Sequence, residues 1–374
     1  MFKKFIRKIH LVMGLTSGLV IVLLGISGCI LAFETDIRNA TEDFRFVENQ
    51  NKPYLPPSIL KTAAEKASNS HKAFSIEYPA RNRAALVSFY YDSKNQIVFL
   101  DPYSGKVLKQ KNMKEDFFRI VLDGHNYMWL PPQVGQPIIA SATLVFVVMM
   151  ISGIFLWWPR VNGARAQRFA IKWRARWRRR NYDLHNVLGF YMTWIAIFIA
   201  LTGLVFGFQW FSRSLYWVAS GGGAEVIPVS PVSDTTKATP VYNVTDKVWK
   251  DHLSKIKEEE SIGVYFASQP ASPFEIVINR CPGTYYSSEF YHYDQYSGIH
   301  LTTVGTYSGP FAEASVADKV MRMNYDIHVG AVLGFPGKLL AFFASLIAAS
   351  LPITGFLIWR GRKRKSKQAM LQSA

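Results

Sequence analysis

The sequence predicts a membrane α-helical protein: four transmembrane helices from a duplicated unit, with two external α+β domains. Three observations predict it: four long apolar runs, a net charge of +17 confined to short segments, and a repeat that sets a histidine beside each apolar run. The runs cover about 11–33, 136–158, 186–211 and 336–358. Each holds roughly 20 or more mostly apolar residues, enough to cross a hydrocarbon core of about 30 Å as a helix.

Charge orients these spans. Residues 1–10 carry four Lys/Arg, residues 159–185 carry nine with the single acid Asp183, and residues 360–374 carry six with no acid. The three segments hold a net charge of +18, so everything else is near neutral at −1. Basic residues crowd the cytoplasmic ends of spans, so both termini and the 159–185 loop are expected inside and the long segments outside. Contact of Arg174–Arg180 with anionic lipid accounts for the basic run without any nucleic acid.

The chain then divides as follows. A first transmembrane helix (1–33) leads to an external domain (34–135) and a second transmembrane helix (136–158). A basic cytoplasmic loop (159–185) joins this to a third helix (186–211), a second external domain (212–335), a fourth helix (336–359) and a basic cytoplasmic tail (360–374). Residues 219–241, rich in Gly, Pro, Ser and Thr, read as a loose linker. Ile26-Ser27-Gly28-Cys29 resembles a processing box after a signal peptide, but apolarity continues through Phe33, so Cys29 is expected inside a helix. Neither Cys29 nor Cys281 belongs to a Cys-x-x-Cys motif or a disulfide framework.

Each external segment reads as a helix followed by strands. The first has a helix at Pro57–Ala67 and strands at Phe74–Tyr78, Ala84–Tyr91 and Ile97–Leu100. The second has a helix at Val244–Lys257 and strands at Gly263–Ala267, Phe274–Ile278 and Tyr285–Tyr293. Asp101-Pro-Tyr-Ser-Gly105 and Asp294-Gln-Tyr-Ser-Gly298 read as matching hairpin turns, with Gly supplying the positive φ.

The histidines carry the chemistry. His10 and His185 open their spans as H-x-x-x-G, with Gly14 and Gly189 one turn on, and each is followed by a hydroxyl–glycine pair, Ser27-Gly28 or Thr202-Gly203. His125 and His328 precede spans that close in Ser152-Gly153-Ile-Phe-Leu-Trp157 or Thr354-Gly355-Phe-Leu-Ile-Trp359. Imidazoles from facing helices make six-coordinate haem centres. Topology pairs His10 with His185 at the cytoplasmic side and His125 with His328 at the outer side. All four are thus expected as axial ligands to the iron of two haem b groups. A zinc or copper site is the rival at the outer pair, but it would want carboxylate or thiolate help. Asp123, Asp183 and Asp326 each stand two residues before a histidine, as orienting carboxylates or as turn and capping residues. Trp157, Trp158, Trp194, Trp210, Trp217 and Trp359 sit near span ends as interfacial anchors. His71, His252, His292 and His300 have no repeat partner and read as solvated, with His292 and His300 weak candidates for substrate contact.

The helix-then-strands segments, with their Asp-x-Tyr-Ser-Gly turns, resemble PepSY domains, and the four histidine-flanked spans resemble the PepSY-associated transmembrane family. Nearly the whole chain takes part, although the second copy has a longer turn-to-histidine separation and Gln295 in place of proline. The resemblance implies an iron-regulated protein of the bacterial inner membrane, of the kind that reduces ferric siderophores. Its expected partners are a ferric siderophore or other iron(III) chelate, membrane lipid and an electron donor. No Gly-x-Gly-x-x-Gly follows a strand, so the donor is expected to be a quinol or a separate cytoplasmic reductase. The alternatives are a non-enzymatic PepSY membrane protein that regulates a peptidase or assists siderophore handling, and a metal transporter, for which spans without intramembrane acids offer little.

Overall fold

The computed structural model describes residues 1–79, 82–91, 94–158, 168–227, 229–237 and 243–372, the side chains of 94, 243 and 364–372 excepted. Residues 159–167 of the expected basic loop, 228 and 238–241 of the expected linker, and the last two residues of the tail lie outside the described residues.

In chain order the first half holds α1 (Phe2–Ala32), α2 (Glu34–Thr41), α3 (Pro57–Ala67), β1 (Ser75–Tyr78), β2 (Ala85–Tyr91), β3 (Lys94–Leu100), β4 (Val107–Asn112), α4 (Phe117–Tyr127) and α5 (Pro132–Trp157). The second half holds α6 (Trp177–Gly207), α7 (Gln209–Ala219), α8 (Asn243–Leu253), β5 (Ser261–Tyr265), β6 (Phe274–Asn279), β7 (Ser288–Tyr293), β8 (His300–Leu301), α9 (Val316–His328) and α10 (Gly334–Gln372). The chain forms two compact units: Met1–Glu34 with Ile120–Ser212 and Ile327–Ala374, and Thr35–Arg119 with Arg213–Asp326.

The first unit is a helical bundle. α1, α5, α6 and α10 are long and apolar enough to cross a membrane, so this is a membrane protein. α1 packs against α5 and α10, and α6 packs against the same two, which sets α1 across the bundle from α6. Ile21, Phe146, Met150, Met192, Ala196, Leu204 and Ala344 fill the centre. Without a hydrophobic drive between helices in lipid, close approach of small residues holds such a bundle. At Gly25 a Cβ would fall 2.6 Å from the Ser345 carbonyl, so α1 and α10 touch there at backbone distance. α1 runs unbroken through Cys29, whose thiol reaches the Phe342 carbonyl at 3.4 Å.

The second unit is built on one eight-stranded antiparallel sheet in the order β4-β3-β2-β1-β5-β6-β7-β8. The sequence reading divides the external segments into two domains. In the structure β1 and β5 pair edge to edge, Ile76 opposite Val264 and Tyr78 opposite Ile262, so the two segments share one sheet within one unit. An open edge on either half would expose a row of unpaired backbone groups, and the pairing removes it. One core serves both halves: Leu60, Ile76, Val87, Phe89, Trp249, Val264, Phe274 and Ile276 are all buried in it. β2 and β6 alternate buried and half-buried positions, the period-two pattern of strands with one face on a core. α3 and α8 pack together on that core, and the Asp246 carboxylate accepts from the Ser58 backbone N–H at 3.0 Å at the start of α3. The two Asp-x-Tyr-Ser-Gly turns have the same geometry: Gly105 and Gly298 have φ of 73° and 70°, and Asp101 and Asp294 each accept from the backbone N–H two residues on, at 2.9 and 3.0 Å.

The short helices α4 and α9 were not read from the sequence, yet each ends at or just beyond a histidine of interest. Residues 285–288 grip α9 from β7's side of the sheet: Arg322, fully buried, donates to the carbonyls of Tyr286 and Ser288 at 2.9 and 2.6 Å.

Candidate functional site

All four histidines lie in the helical unit, and their placement follows one rule. Each imidazole meets a hydroxyl–glycine pair on a neighbouring long helix. His10 on α1 reaches Ser152 on α5 (2.8 Å), and His125 on α4 reaches Ser27 on α1 (2.8 Å). His185 on α6 reaches Thr354 on α10 (2.9 Å), and His328 on α9 reaches Thr202 on α6 (3.1 Å). The glycine after each hydroxyl leaves room for the ring edge: an added Cβ would stand 3.3 Å from the imidazole carbon Cε1 of His185 at Gly355, and of His328 at Gly203.

In every case the atom engaged is Nδ1, and the donor can be assigned. The hydroxyl protons are already spent on carbonyls of their own helices: Ser27 on Leu23 (2.7 Å), Ser152 on Met149 (3.0 Å), Thr202 on Phe198 (2.8 Å) and Thr354 on Ser350 (3.0 Å). That leaves the oxygen free to accept from Nδ1–H. His328 adds independent support, because its Nδ1 also lies 2.9 Å from the Ile199 carbonyl, which can only accept. With the proton on Nδ1, the lone pair sits on Nε2, the state a metal-ligating imidazole requires.

His125 and His328 stand close together, and His10 and His185 line one cavity. The ring centroids of His125 and His328 stand 6.2 Å apart. A metal–imidazole bond is about 2 Å, and each nitrogen lies about 1 Å from its own ring centre, so one metal shared by two imidazoles sets the centroids about 6 Å apart. His10 and His185 line a single cavity of about 660 Å³, on helices that face each other across the bundle. That volume falls within the range of roughly 300–1,000 Å³ typical of cofactor sites. Gly14 and Gly189 of the two H-x-x-x-G motifs line the same cavity, as do Gly153 and Gly355. The lining of this cavity, two imidazoles among bare glycines, fits a flat macrocycle, and at the outer pair the ring separation fits a shared metal. Among the described residues no group of three or more His, Cys, Asp or Glu side chains is placed to hold a metal ion, as a protein-only zinc site would need.

Two of the aspartates read as orienting carboxylates or as turn and capping residues contact partners other than the histidines. Asp183 pairs with Arg179 at 2.9 Å, and Asp326, fully buried, accepts from the backbone N–H groups of Tyr285 and Tyr286 at 2.8 and 2.7 Å. The serine and threonine hydroxyls orient the imidazoles instead. Their Ser/Thr-Gly dipeptides were visible in the sequence as a fourfold repeat, but nothing local revealed that each serves a histidine of another helix. The unpaired histidines also settle into local contacts. His71 stacks on Tyr91 with centroids 3.6 Å apart, His252 Nε2 meets the Tyr293 hydroxyl at 2.6 Å, and His292 lies 3.3 Å from Glu275.

A family model described as the PepSY-associated TM region matches residues 7–362, a stretch that includes all four histidines and both external segments. No curated protein matches the chain.

Proposed function

The chain belongs to the PepSY-associated transmembrane family, and from that premise we propose that it carries electrons across the bacterial inner membrane on two haem b groups. The acceptor in this reading is an iron(III) chelate outside the membrane, such as a ferric siderophore, which takes one electron and becomes iron(II). That makes the protein a haem-dependent ferric-chelate oxidoreductase.

The observation that carries the reading is the fourfold arrangement of imidazole, hydroxyl and glycine, which leaves two pairs of Nε2 lone pairs across the bundle. His10 with His185 and His125 with His328 would hold the two groups. Haem bound between such a pair supplies a low-spin iron that exchanges single electrons without losing a ligand. The protein's own part is positional. The hydroxyls fix tautomer and ring angle, the glycines clear space, and the apolar walls of the bundle keep water away. The positive-inside rule puts the basic segments, and the His10–His185 pair with them, in or near the cytoplasm, and the sheet unit in the periplasm. The electron donor is a quinol or a separate reductase.

The test is the visible spectrum of purified full-length protein, with a pyridine haemochrome count. A Soret band, sharp reduced α-bands and two haems per chain are expected. A colourless preparation after expression with ample haem would defeat the reading and favour a non-enzymatic PepSY protein that regulates a peptidase or assists siderophore handling.

A further inference from the structure

The cavity between His10 and His185 is graded along its length. Six cationic side chains line it, namely Lys3, Lys4, Arg7, Lys8, Arg168 and Arg362, and among the described residues no Asp or Glu does. Tyr182, about one turn before His185, and Asn186, next to it in the chain, add polar groups to the lining. The deeper wall is apolar, with Ile21, Phe146 and Leu351. The positive-inside rule explains why cations gather at these helix ends. It does not explain why they share a lining with two imidazoles and a set of bare glycine surfaces. Along α1 the lining runs from Lys3, Lys4, Arg7 and Lys8 through His10 and Gly14 to Ile21, an order of cation, imidazole and hydrocarbon that matches a ligand that is itself graded: a flat apolar ring with carboxylates along one edge.

We infer that the cations at the basic end of this lining hold the two carboxylates of the tetrapyrrole. This rests on the di-haem reading and adds to it residues that choose and orient the group at the basic end. Arg7 and Arg362 are the residues to test, since guanidinium groups meet carboxylates through paired N–H donors. Neither is among the four histidine ligands or their hydroxyl partners.

The experiment compares haem b with its dimethyl ester, which keeps the ring and the iron and removes only the two charges. Full-length protein made in haem-deficient cells is titrated with each form and followed at the Soret band. A His125→Ala/His328→Ala background leaves only the basic-end pair, and the same titration on the intact chain should show the effect in half the sites. The free acid should bind about tenfold tighter than the ester. Arg7→Gln/Arg362→Gln should reduce that preference to near unity, and each single variant should reduce it in part. Equal binding of the two forms by the parent protein, or an undiminished preference in the variants, would overturn the assignment while leaving di-haem binding intact. Variants that lose only affinity for phosphatidylglycerol vesicles would give these cations to lipid instead. Failure to bind either form would remove the di-haem reading itself.

Discussion

The Nδ1 atom of His125 lies 2.8 Å from the hydroxyl of Ser27, whose own proton goes to the Leu23 carbonyl 2.7 Å away. With Nδ1–H donating into that relay Nε2 is the bare ring nitrogen, and the Thr354 hydroxyl repeats the arrangement beside His185. Ser27→Ala and Thr354→Val remove the acceptor while keeping a residue that a helix tolerates. Each should weaken haem binding at its own site by about 10–100-fold, the usual effect of losing an orienting partner, with helix content by circular dichroism unchanged. Undiminished affinity in both variants would reduce the hydroxyls to caps on their own helix carbonyls.

Removing a ligand is harsher than freeing it. His185→Ala empties one pair and His328→Ala the other, so each should halve the pyridine haemochrome value, and the double variant should approach zero. Because the two pairs lie at different ends of the bundle, the two reduced α-band spectra should differ. Full haem content in both single variants would show that the iron is held elsewhere.

The sequence revealed different parts of this structure with different success, for physical reasons. Apolarity is a local property, so all four spans were legible. Their limits were not, because α6 begins at Trp177 and runs through the basic residues up to Arg180, which are good helix formers outside the hydrocarbon. α4 and α9 escaped notice because they are single short amphipathic helices, whose apolar residues alternate with polar ones and form no long continuous apolar run. The strands were read largely where they occur, but alternation describes one strand at a time. Nothing in Ser75–Tyr78 announces that its second partner is Ser261–Tyr265 from the other half of the chain. The four histidines were found because they repeat. The role of Ser27, Ser152, Thr202 and Thr354 was missed because it exists only once helices distant in sequence are packed together.

The sheet unit carries an acid-sensitive network. Asp116 accepts from Arg38 at 2.9 Å and pairs with Lys111 at 2.6 Å, while Glu42 pairs with Arg38 at 3.2 Å and with Lys111 and Arg45. Burial alone would raise the Asp116 carboxyl, but hydrogen bonds from Arg38 and Lys111 outweigh it and hold the group well below the usual range. Glu42 is likewise held low by Lys111 and Arg45 against its burial. A carboxylate whose folded pKa is depressed stabilises the fold above its unfolded value of about 4 and loses that contribution as the pH falls. Denaturant midpoints of the sheet unit should therefore be level near neutrality and decline below about pH 4. Asp116→Asn should cost about 3 kcal/mol at neutral pH, because it strands buried cations, and should flatten the acid decline. An acid profile identical to that of the parent would place the sensitivity in other groups.

The β1–β5 seam makes a last prediction about cooperativity. Ile76 and Val264 are register partners, both fully buried, in a core that also takes Leu60 and Trp249 from helices of the two halves. A shared core implies shared unfolding, since neither half can open without exposing side chains of the other. Ile76→Ala should cost about 3 kcal/mol through lost burial and a residual cavity, and Val264→Ala somewhat less. Both should shift the same transition, whether it is followed by aromatic fluorescence or by hydrogen exchange of amides in β2 and β6 separately. Protection lost in β2 alone on Ile76→Ala, with β6 unchanged, would mean that the halves fold independently and merely touch along the seam.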